Sequence, residues 1–189
     1  MRSPLADLFN DLNVAFEQVS SRWYLFGAQA AILHGAARLT ADVDVTVMYG
    51  GGEPSRLLRV LAVNRFDAST EDAIGFMERT RVLPVIHTPS GIPVDIVFGG
   101  PGLEEQFLQR SRLFDLNGAM VPVASAEDLV AMKILSGRAK DLDDVLAVLA
   151  AQLGSFDVSY SRVLLERLEA ALDRRDLLPV LEDMILRLQ

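Results

Sequence analysis

The sequence predicts an α/β (α+β) protein whose mixed first part is followed by a helical C-terminal part. Apolar residues alternate with polar ones at 42–47, which is the period of a strand, and a second strand pattern follows at 92–98. From residue 125 onwards only helical spacing is present. These observations predict a core domain at 1–124 and a helical part at 125–189 that packs on the core.

Each element is predicted from the spacing of its apolar residues and from the residues at its two ends. The predicted helices are 4–20, 28–35, 53–63, 71–79, 103–110, 125–135, 140–152, 158–172 and 176–188. The predicted strands are 23–26, 42–47, 81–87, 92–98 and 119–123. Gly50-Gly51-Gly52 ends the second strand, and Thr88-Pro89-Ser90-Gly91 forms a hairpin turn. We expect His87, directly before that turn, to be exposed.

Composition excludes several classes of function. The chain has 189 residues, no cysteine and a net charge of −8, with only two lysines. Without cysteine there are no disulfides, zinc–thiolate sites or cysteine nucleophiles. An acidic chain also lacks the broad basic face with which proteins hold duplex DNA, so general DNA binding is not expected.

Neither a signal peptide nor a membrane span is predicted. Met1-Arg2-Ser3-Pro4 carries a charge but has no long apolar run behind it. No stretch approaches about 20 uncharged apolar residues. We therefore expect a cytoplasmic protein that does not cross a membrane.

Three aspartates in the predicted strands indicate a metal site. Asp42 and Asp44 are two residues apart, so they point to the same face of their strand while the intervening valines point into the core. Asp95 points away from the apolar face of its own strand and joins the pair if the strands are neighbours. Carboxylates side by side repel each other, so a cation between them is favourable, and oxygen ligands suit Mg²⁺ or Mn²⁺. Three carboxylates can hold two cations about 3.5–4 Å apart, as in-line phosphoryl transfer requires.

Gly27 is the candidate phosphate-binding position. It ends a strand and directly precedes a helix, where free backbone N–H groups and the positive helix end favour an anion. Glycine also allows a triphosphate to come close to the backbone. A Walker loop is absent from the sequence.

These motifs carry a family resemblance. The strand, glycine and helix of 25–37, followed by Arg38-Leu39-Thr40-Ala41-Asp42-Val43-Asp44, resemble the first motif of the DNA polymerase β-like nucleotidyltransferase superfamily. The bacterial branch around the AbiEii abortive-infection toxins is the most similar. Asp95 matches the third acidic residue, and residues 127–135 and 138–145 resemble the helical motifs of that branch. The resemblance implies a nucleotidyltransferase fold, a small mixed sheet flanked by helices.

The resemblance also implies an activity and a set of site residues. It implies a metal-dependent enzyme that transfers NMP from an NTP to an acceptor hydroxyl of an RNA or tRNA end, a protein or a small molecule. Asp42, Asp44 and Asp95 would be the catalytic residues and the Mg²⁺ or Mn²⁺ ligands. Nucleotide and phosphate binding would fall to Gly27, Ala28, Arg38, Thr40, Lys133, Lys140 and Asp141. A toxin role would imply a cognate antitoxin as partner.

Two alternatives stay open. One is an antibiotic-modifying nucleotidyltransferase, and the other is a non-catalytic module that keeps the fold and binds a nucleotide or a partner. Ala28 favours the second, because most members have serine or glycine there and a serine hydroxyl would contact a phosphate. Lys133 has an alternative of its own, since a lysine in so apolar a helix can extend its ammonium to solvent.

Overall fold

A computed structural model describes residues 3–50 and 52–188 of the chain. The N-terminal Met1 and Arg2, and Gly51 of the predicted glycine break, lie outside the described residues. The chain divides into two compact units. The first comprises Met1–Gln29 and Thr40–Ala124, and the second comprises Ala30–Leu39 and Ser125–Gln189. Residues 30–39, which the sequence placed with the core, thus belong with the helices after residue 124.

Helices and strands mix in the first unit, whereas the second is helical. The helices that begin before residue 125 are Pro4–Gln18 (α1), Gly27–Leu33 (α2), Pro54–Val63 (α3), Ala73–Thr80 (α4) and Leu103–Arg110 (α5). The strands are Arg22–Phe26 (β1), Val43–Met48 (β2), Phe66–Ala68 (β3), Val82–His87 (β4), Ile92–Phe98 (β5), Arg112–Leu116 (β6) and Ala119–Val123 (β7). The helices of the second unit are Ala126–Ser136 (α6), Ala139–Ala151 (α7), Val158–Leu172 (α8) and Leu177–Leu186 (α9).

A seven-stranded mixed sheet in the order β3-β4-β5-β2-β1-β7-β6 organises the first unit. The central strand β2 pairs antiparallel with β1 and parallel with β5. Strand β1 pairs parallel with β7. The pairs β4–β5 and β6–β7 are antiparallel hairpins, whereas β3 and β4 pair antiparallel with α4 between them in the chain. The α/β class with a mixed sheet flanked by helices, predicted from the sequence and its resemblance, is confirmed.

One face of the sheet is apolar and buried. Val43 and Val45 of β2 are fully buried, as are their register partners Val94 and Ile96 on β5. Since strand side chains alternate, the residues between them point to the opposite face. Each fully buried valine or isoleucine contributes about 1.5–3 kcal/mol relative to its exposed state. Burial of these apolar residues therefore determines which residues of β2 and β5 point to the opposite face.

Helix α1 contacts the start of β1 through aromatic rings. Phe9 stacks on Trp23 with ring centroids 6.4 Å apart, and Phe16 lies tilted against the same indole at 5.7 Å. Ser3 caps the helix, since its hydroxyl accepts a hydrogen bond from the Ala6 N–H, and Pro4 occupies the first helical position. The cap and the proline together define the start of α1.

Two short strands, β3 and β6, are absent from the sequence prediction. Strand β6 pairs antiparallel with β7 across Asn117 and Gly118, which both have positive φ, at 55° and 89°. Asn-Gly between two β-prone runs is the strongest short hairpin signal, so β6 could have been predicted from it. Strand β3 has three residues and offers no comparable local signal.

His87 is buried, which corrects the expectation that it is exposed. Its side chain has no exposed surface. The Nε2 atom lies 2.8 Å from Asp11 Oδ2 on α1, and Nδ1 lies 2.7 Å from Ser90 Oγ. Because an ionised carboxylate only accepts hydrogen bonds, Nε2 carries the proton that faces Asp11. Asp11 also accepts a hydrogen bond from Arg65 at 2.5 Å. These contacts join α1 to the β4–β5 hairpin.

The second unit is held by capped helices around an aliphatic core. Ser125 caps α6, because its hydroxyl accepts the hydrogen bond of the Asp128 N–H, and Gly137 ends the helix in a left-handed conformation with φ 66°. The buried apolar side chains of this unit include Leu129, Val130, Ile134, Val145, Val148, Leu165 and Leu181. The serine cap and the left-handed glycine thus define the two ends of α6.

No helix in the described part of the chain is both long enough and apolar enough to cross a membrane.

Removal of the Asp11 carboxylate tests the buried histidine contact. Asp11→Ala should lower the free energy of unfolding by about 1–3 kcal/mol, because the buried His87 N–H loses its acceptor. Glu17→Ala, which truncates an exposed carboxylate on the same helix, is the matched control. Urea unfolding of the two variants and the wild type measures the effect. Equal stability of Asp11→Ala and the wild type would contradict it.

Candidate active site

The sheet brings two of the three predicted carboxylates side by side. Asp44 is the register partner of Asp95 on the parallel neighbour β5, and of Phe26 on the antiparallel neighbour β1. Neighbouring strands lie about 4.8 Å apart, so the two carboxylates start from adjacent backbone positions on one face. The sequence left open whether these strands are neighbours, and the register shows that they are.

Asp42 lies directly before β2 and is exposed. The Thr40 hydroxyl donates a hydrogen bond to Asp42 Oδ1. The pKa of Asp95 is raised above its ordinary value, first by partial burial and second by the negative charge of Asp42. The electrostatic effect means that Asp42 and Asp95 are close enough to repel each other, as carboxylates that share a cation site do.

The described residues contain no group of three or more carboxylate, imidazole or thiol side chains already arranged to hold a metal ion. The donor set nonetheless suits Mg²⁺ or Mn²⁺, because all three groups offer hard oxygen ligands. Two of them come from register partners, and the third raises the pKa of its neighbour by its charge. The residues present therefore fit such a cation in their chemistry and in their backbone positions.

Gly27 is required by the close approach of Asp44. It follows β1 with φ +67°, and a Cβ at this position would lie 2.6 Å from Asp44 Cγ. Any larger residue would overlap the carboxylate, because real Cβ atoms do not approach a neighbour so closely. The sequence predicts Gly27 as a phosphate-binding position, and its contact with Asp44 is a second reason why this position requires glycine. Ala28, which follows it in α2, is buried.

Gly27→Ala tests this contact against a matched control. Gly91 has nearly the same φ, +69°, but a Cβ there meets nothing within 4 Å. Both alanine variants bear the left-handed strain of roughly 1–2 kcal/mol. Only Gly27→Ala must also displace Asp44, which should cost about 1–3 kcal/mol more. Urea unfolding measures both, and equal losses would show that Gly27 is needed only for its backbone conformation.

Four other predicted binding residues lie in the second unit. Lys133 is buried, and its ammonium lies 3.0 Å from Asp141 Oδ1 and 2.7 Å from Asp144 Oδ2. Arg38 donates to the same Asp144 oxygen at 2.7 Å. Lys140 is exposed and has no ion-pair partner among the described residues. Lys133 therefore does not extend to solvent, and with Arg38 it belongs to an internal charge network.

Asp141 is the most perturbed member of this network. Burial alone would raise its pKa, but hydrogen bonds from Ser136, Lys133 and Arg138 outweigh burial and hold the pKa at about 2. The Ser136 hydroxyl lies 2.6 Å from Asp141 Oδ2, and Arg138 Nε lies 2.5 Å from the same oxygen. Arg138 and Asp141 thus form an ion pair at the start of α7.

A pH series tests the Asp141 network. Its pKa is lower in the folded state, so the stability it contributes is present above about pH 4 and is lost as the pH falls towards 2. The full contribution is about 2 kcal/mol. The difference in unfolding free energy between wild type and Asp141→Asn should shrink by that amount over this range. Asp143→Asn, at an exposed position of the same helix, is the control. A difference that does not change with pH would contradict the network.

Two contacts were missed by sequence reasoning about binding residues. Asp144 joins Arg38 to Lys133, and Thr40 orients Asp42. The spacing of Asp141 and Asp144 by three residues on α7 places both carboxylates on one helix face, which was the available signal. No local pattern links Arg38 to a helix more than a hundred residues later.

Comparison with known proteins identifies the family. The model of the family described as "Nucleotidyl transferase AbiEii toxin, Type IV TA system" matches residues 12–188. The chain belongs to this family. The family resemblance found in the sequence is therefore confirmed. Membership of the family makes this AbiEii-family chain a nucleotidyltransferase and thus an enzyme. A search of curated protein sequences finds no significant match.

Solved structures of an antibiotic-resistance factor, a nucleotidyltransferase-like protein and an adenylyltransferase share the fold. The antibiotic-resistance factor ANT(2'')-Ia has a TM-score of 0.59 at 15% identity, covering 92% of this chain and 97% of its own. An antigenic nucleotidyltransferase-like protein from Paracoccidioides brasiliensis has a TM-score of 0.52 at 15% identity, covering 95% and 94%. Lincomycin-bound LnuA, a lincosamide antibiotic adenylyltransferase, has a TM-score of 0.52 at 16% identity, covering 78% and 96%. At these identities the likeness shows the fold of the AbiEii-family chain.

Proposed function

We propose that this AbiEii-family enzyme transfers NMP from an NTP to an acceptor hydroxyl with the help of Mg²⁺ or Mn²⁺ at Asp42, Asp44 and Asp95. The observation that carries the proposal is the register pairing of Asp44 with Asp95 on one face of the sheet. Buried valines hold the opposite face of both strands, so these carboxylates are directed away from the core. Family membership supports the NTP as substrate.

Each residue has a proposed role in the reaction. The acceptor hydroxyl attacks the α-phosphorus, a new P–O bond forms, and the bond to pyrophosphate breaks. A cation held by Asp42, Asp44 and Asp95 would neutralise charge at the triphosphate and so lower the cost of that bond cleavage. Asp95, which lies beside Asp44 on the neighbouring strand, would take the hydroxyl proton. The absence of a side chain at Gly27 leaves room for the Asp44 carboxylate.

The charge network of the second unit is proposed to have a structural role. Lys133 and Arg38 both donate to Asp144, so their charges are already neutralised by a carboxylate. Removing one partner of such a buried group leaves an uncompensated charge and costs about 3–5 kcal/mol. We propose that the network fixes the segment carrying Arg38 to α6 and α7. Nucleotide binding by Arg38, Lys133, Lys140 and Asp141 stays a prediction.

The biological role we propose is that of the toxin of a toxin–antitoxin pair acting in the cytoplasm, where NTPs are available. Family membership supports this role and a cognate antitoxin as partner. The net charge of −8 indicates that a long RNA would not be held by a broad basic face. The acceptor is therefore proposed to be engaged locally, as the end of a tRNA, a protein hydroxyl or a small molecule would be. An antibiotic acceptor is the second enzymatic option that the assay must include.

The proposed activity is tested with each α-labelled NTP and Mg²⁺ or Mn²⁺. The acceptors are total tRNA, cell-extract protein and a panel of hydroxyl-bearing antibiotics. Label should enter one acceptor class with the wild type. Asp44→Asn and Asp95→Asn should reduce it at least about a hundredfold, since metal sites tolerate little change even in their supporting residues. Asp67→Asn, at an exposed position on edge strand β3, is the matched control.

The outcomes separate the alternatives. Label in tRNA or protein, together with growth arrest on expression, supports the toxin role, whereas label in an antibiotic supports a resistance enzyme. Equal labelling by Asp44→Asn and the wild type would contradict the assigned site. If no NTP labels any acceptor and the protein binds no Mn²⁺ in the presence of NTP, the result would support the non-catalytic module, which Ala28 favours.

A further inference from the structure

The three carboxylates differ in how they are held. Asp44 lies within the ladder of β2, with a register partner on each side, and its carboxylate packs against Gly27. Asp95 likewise lies within β5 between two strands. Asp42 precedes the first residue of β2, and Ala41 before it is a bend. The ladder therefore fixes two of the carboxylates and leaves the third to be fixed by another contact.

That contact is Thr40. Among the described residues, its hydroxyl is the only hydrogen-bond partner of the Asp42 carboxylate, and it contacts Oδ1. The other interaction of Asp42 is repulsive, since its charge acts on Asp95. Repulsion alone would rotate the Asp42 side chain away from the site. A donor on one oxygen restricts that rotation and leaves Oδ2 available.

We infer that Thr40 is a positioning residue, whose hydroxyl orients Asp42 so that its second carboxylate oxygen can take the cation. This inference rests on the proposed function and deepens it. It also changes the role that the sequence gave Thr40, which was binding of the nucleotide phosphates. An ionised carboxylate only accepts hydrogen bonds, so the single hydroxyl proton is used by Asp42 and is not available to a phosphate.

The two roles of Thr40 make different predictions about the cation in the absence of nucleotide. A residue that orients a metal ligand affects cation affinity directly, and such supporting contacts typically change metal affinity about 10–100-fold. A residue that binds phosphate affects nucleotide affinity and leaves the cation alone. Calorimetric titration of Mn²⁺ into the nucleotide-free protein therefore separates the two roles.

Three variants make the test specific. Thr40→Val keeps the shape and removes the hydroxyl, and it should weaken Mn²⁺ binding about tenfold or more. Thr40→Ser keeps the hydroxyl and should stay within about threefold of the wild type, far from the loss typical of a missing supporting contact. Thr88→Val is the control, because the Thr88 hydroxyl bonds the carbonyl of Arg65, away from the carboxylates. Thermal unfolding of each variant verifies that it is folded.

Kinetics provides a second readout. With Thr40→Val, the Mg²⁺ concentration for half-maximal transfer should rise, and kcat at saturating Mg²⁺ should recover towards the wild-type value. An unchanged Mn²⁺ affinity in Thr40→Val with a raised KM for the NTP would overturn the positioning role and restore the phosphate role. No Mn²⁺ binding by the wild type, with or without NTP, would instead overturn the metal site itself.

Discussion

The pairing of β2 with β5 is the constraint on which the rest of the site depends. Parallel register places Asp44 beside Asp95, and alternation along both strands directs these carboxylates to one face while valines and isoleucines fill the other. A slip of one residue would exchange the two sets, burying carboxylates and exposing the core. The apolar core therefore specifies the position of the acidic groups, because the same register satisfies both.

Repulsion between the like charges at this site is unfavourable in free energy. The raised pKa of Asp95 reflects that cost, since burial and the charge of Asp42 both disfavour its ionised form. Gly27 carries no side chain, and the Asp44 carboxylate occupies the space that a Cβ there would need. The chain thus keeps three acids close where a cation would stabilise them.

The sequence predicted the local elements well because each rests on local physics. Helix α5 and strand β7 have their predicted limits. Alternation also predicted that Asp44 and Asp95 point away from the buried apolar face of their strands. Contacts between distant segments could not be predicted: the acceptor of His87 is Asp11, 76 residues away, and that of Arg38 is Asp144, 106 residues away. The sequence around His87 and around Arg38 contains no pattern that predicts these partners.

The central claim is that the three aspartates bind the catalytic cation. The most direct measurement is anomalous diffraction from crystals grown with Mn²⁺ and a non-hydrolysable NTP analogue. The account predicts an anomalous peak bounded by carboxylate oxygens of Asp44, Asp95 and Asp42, in contact with the triphosphate. A Mn²⁺ peak bound elsewhere, or a triphosphate seated away from these carboxylates, would contradict it.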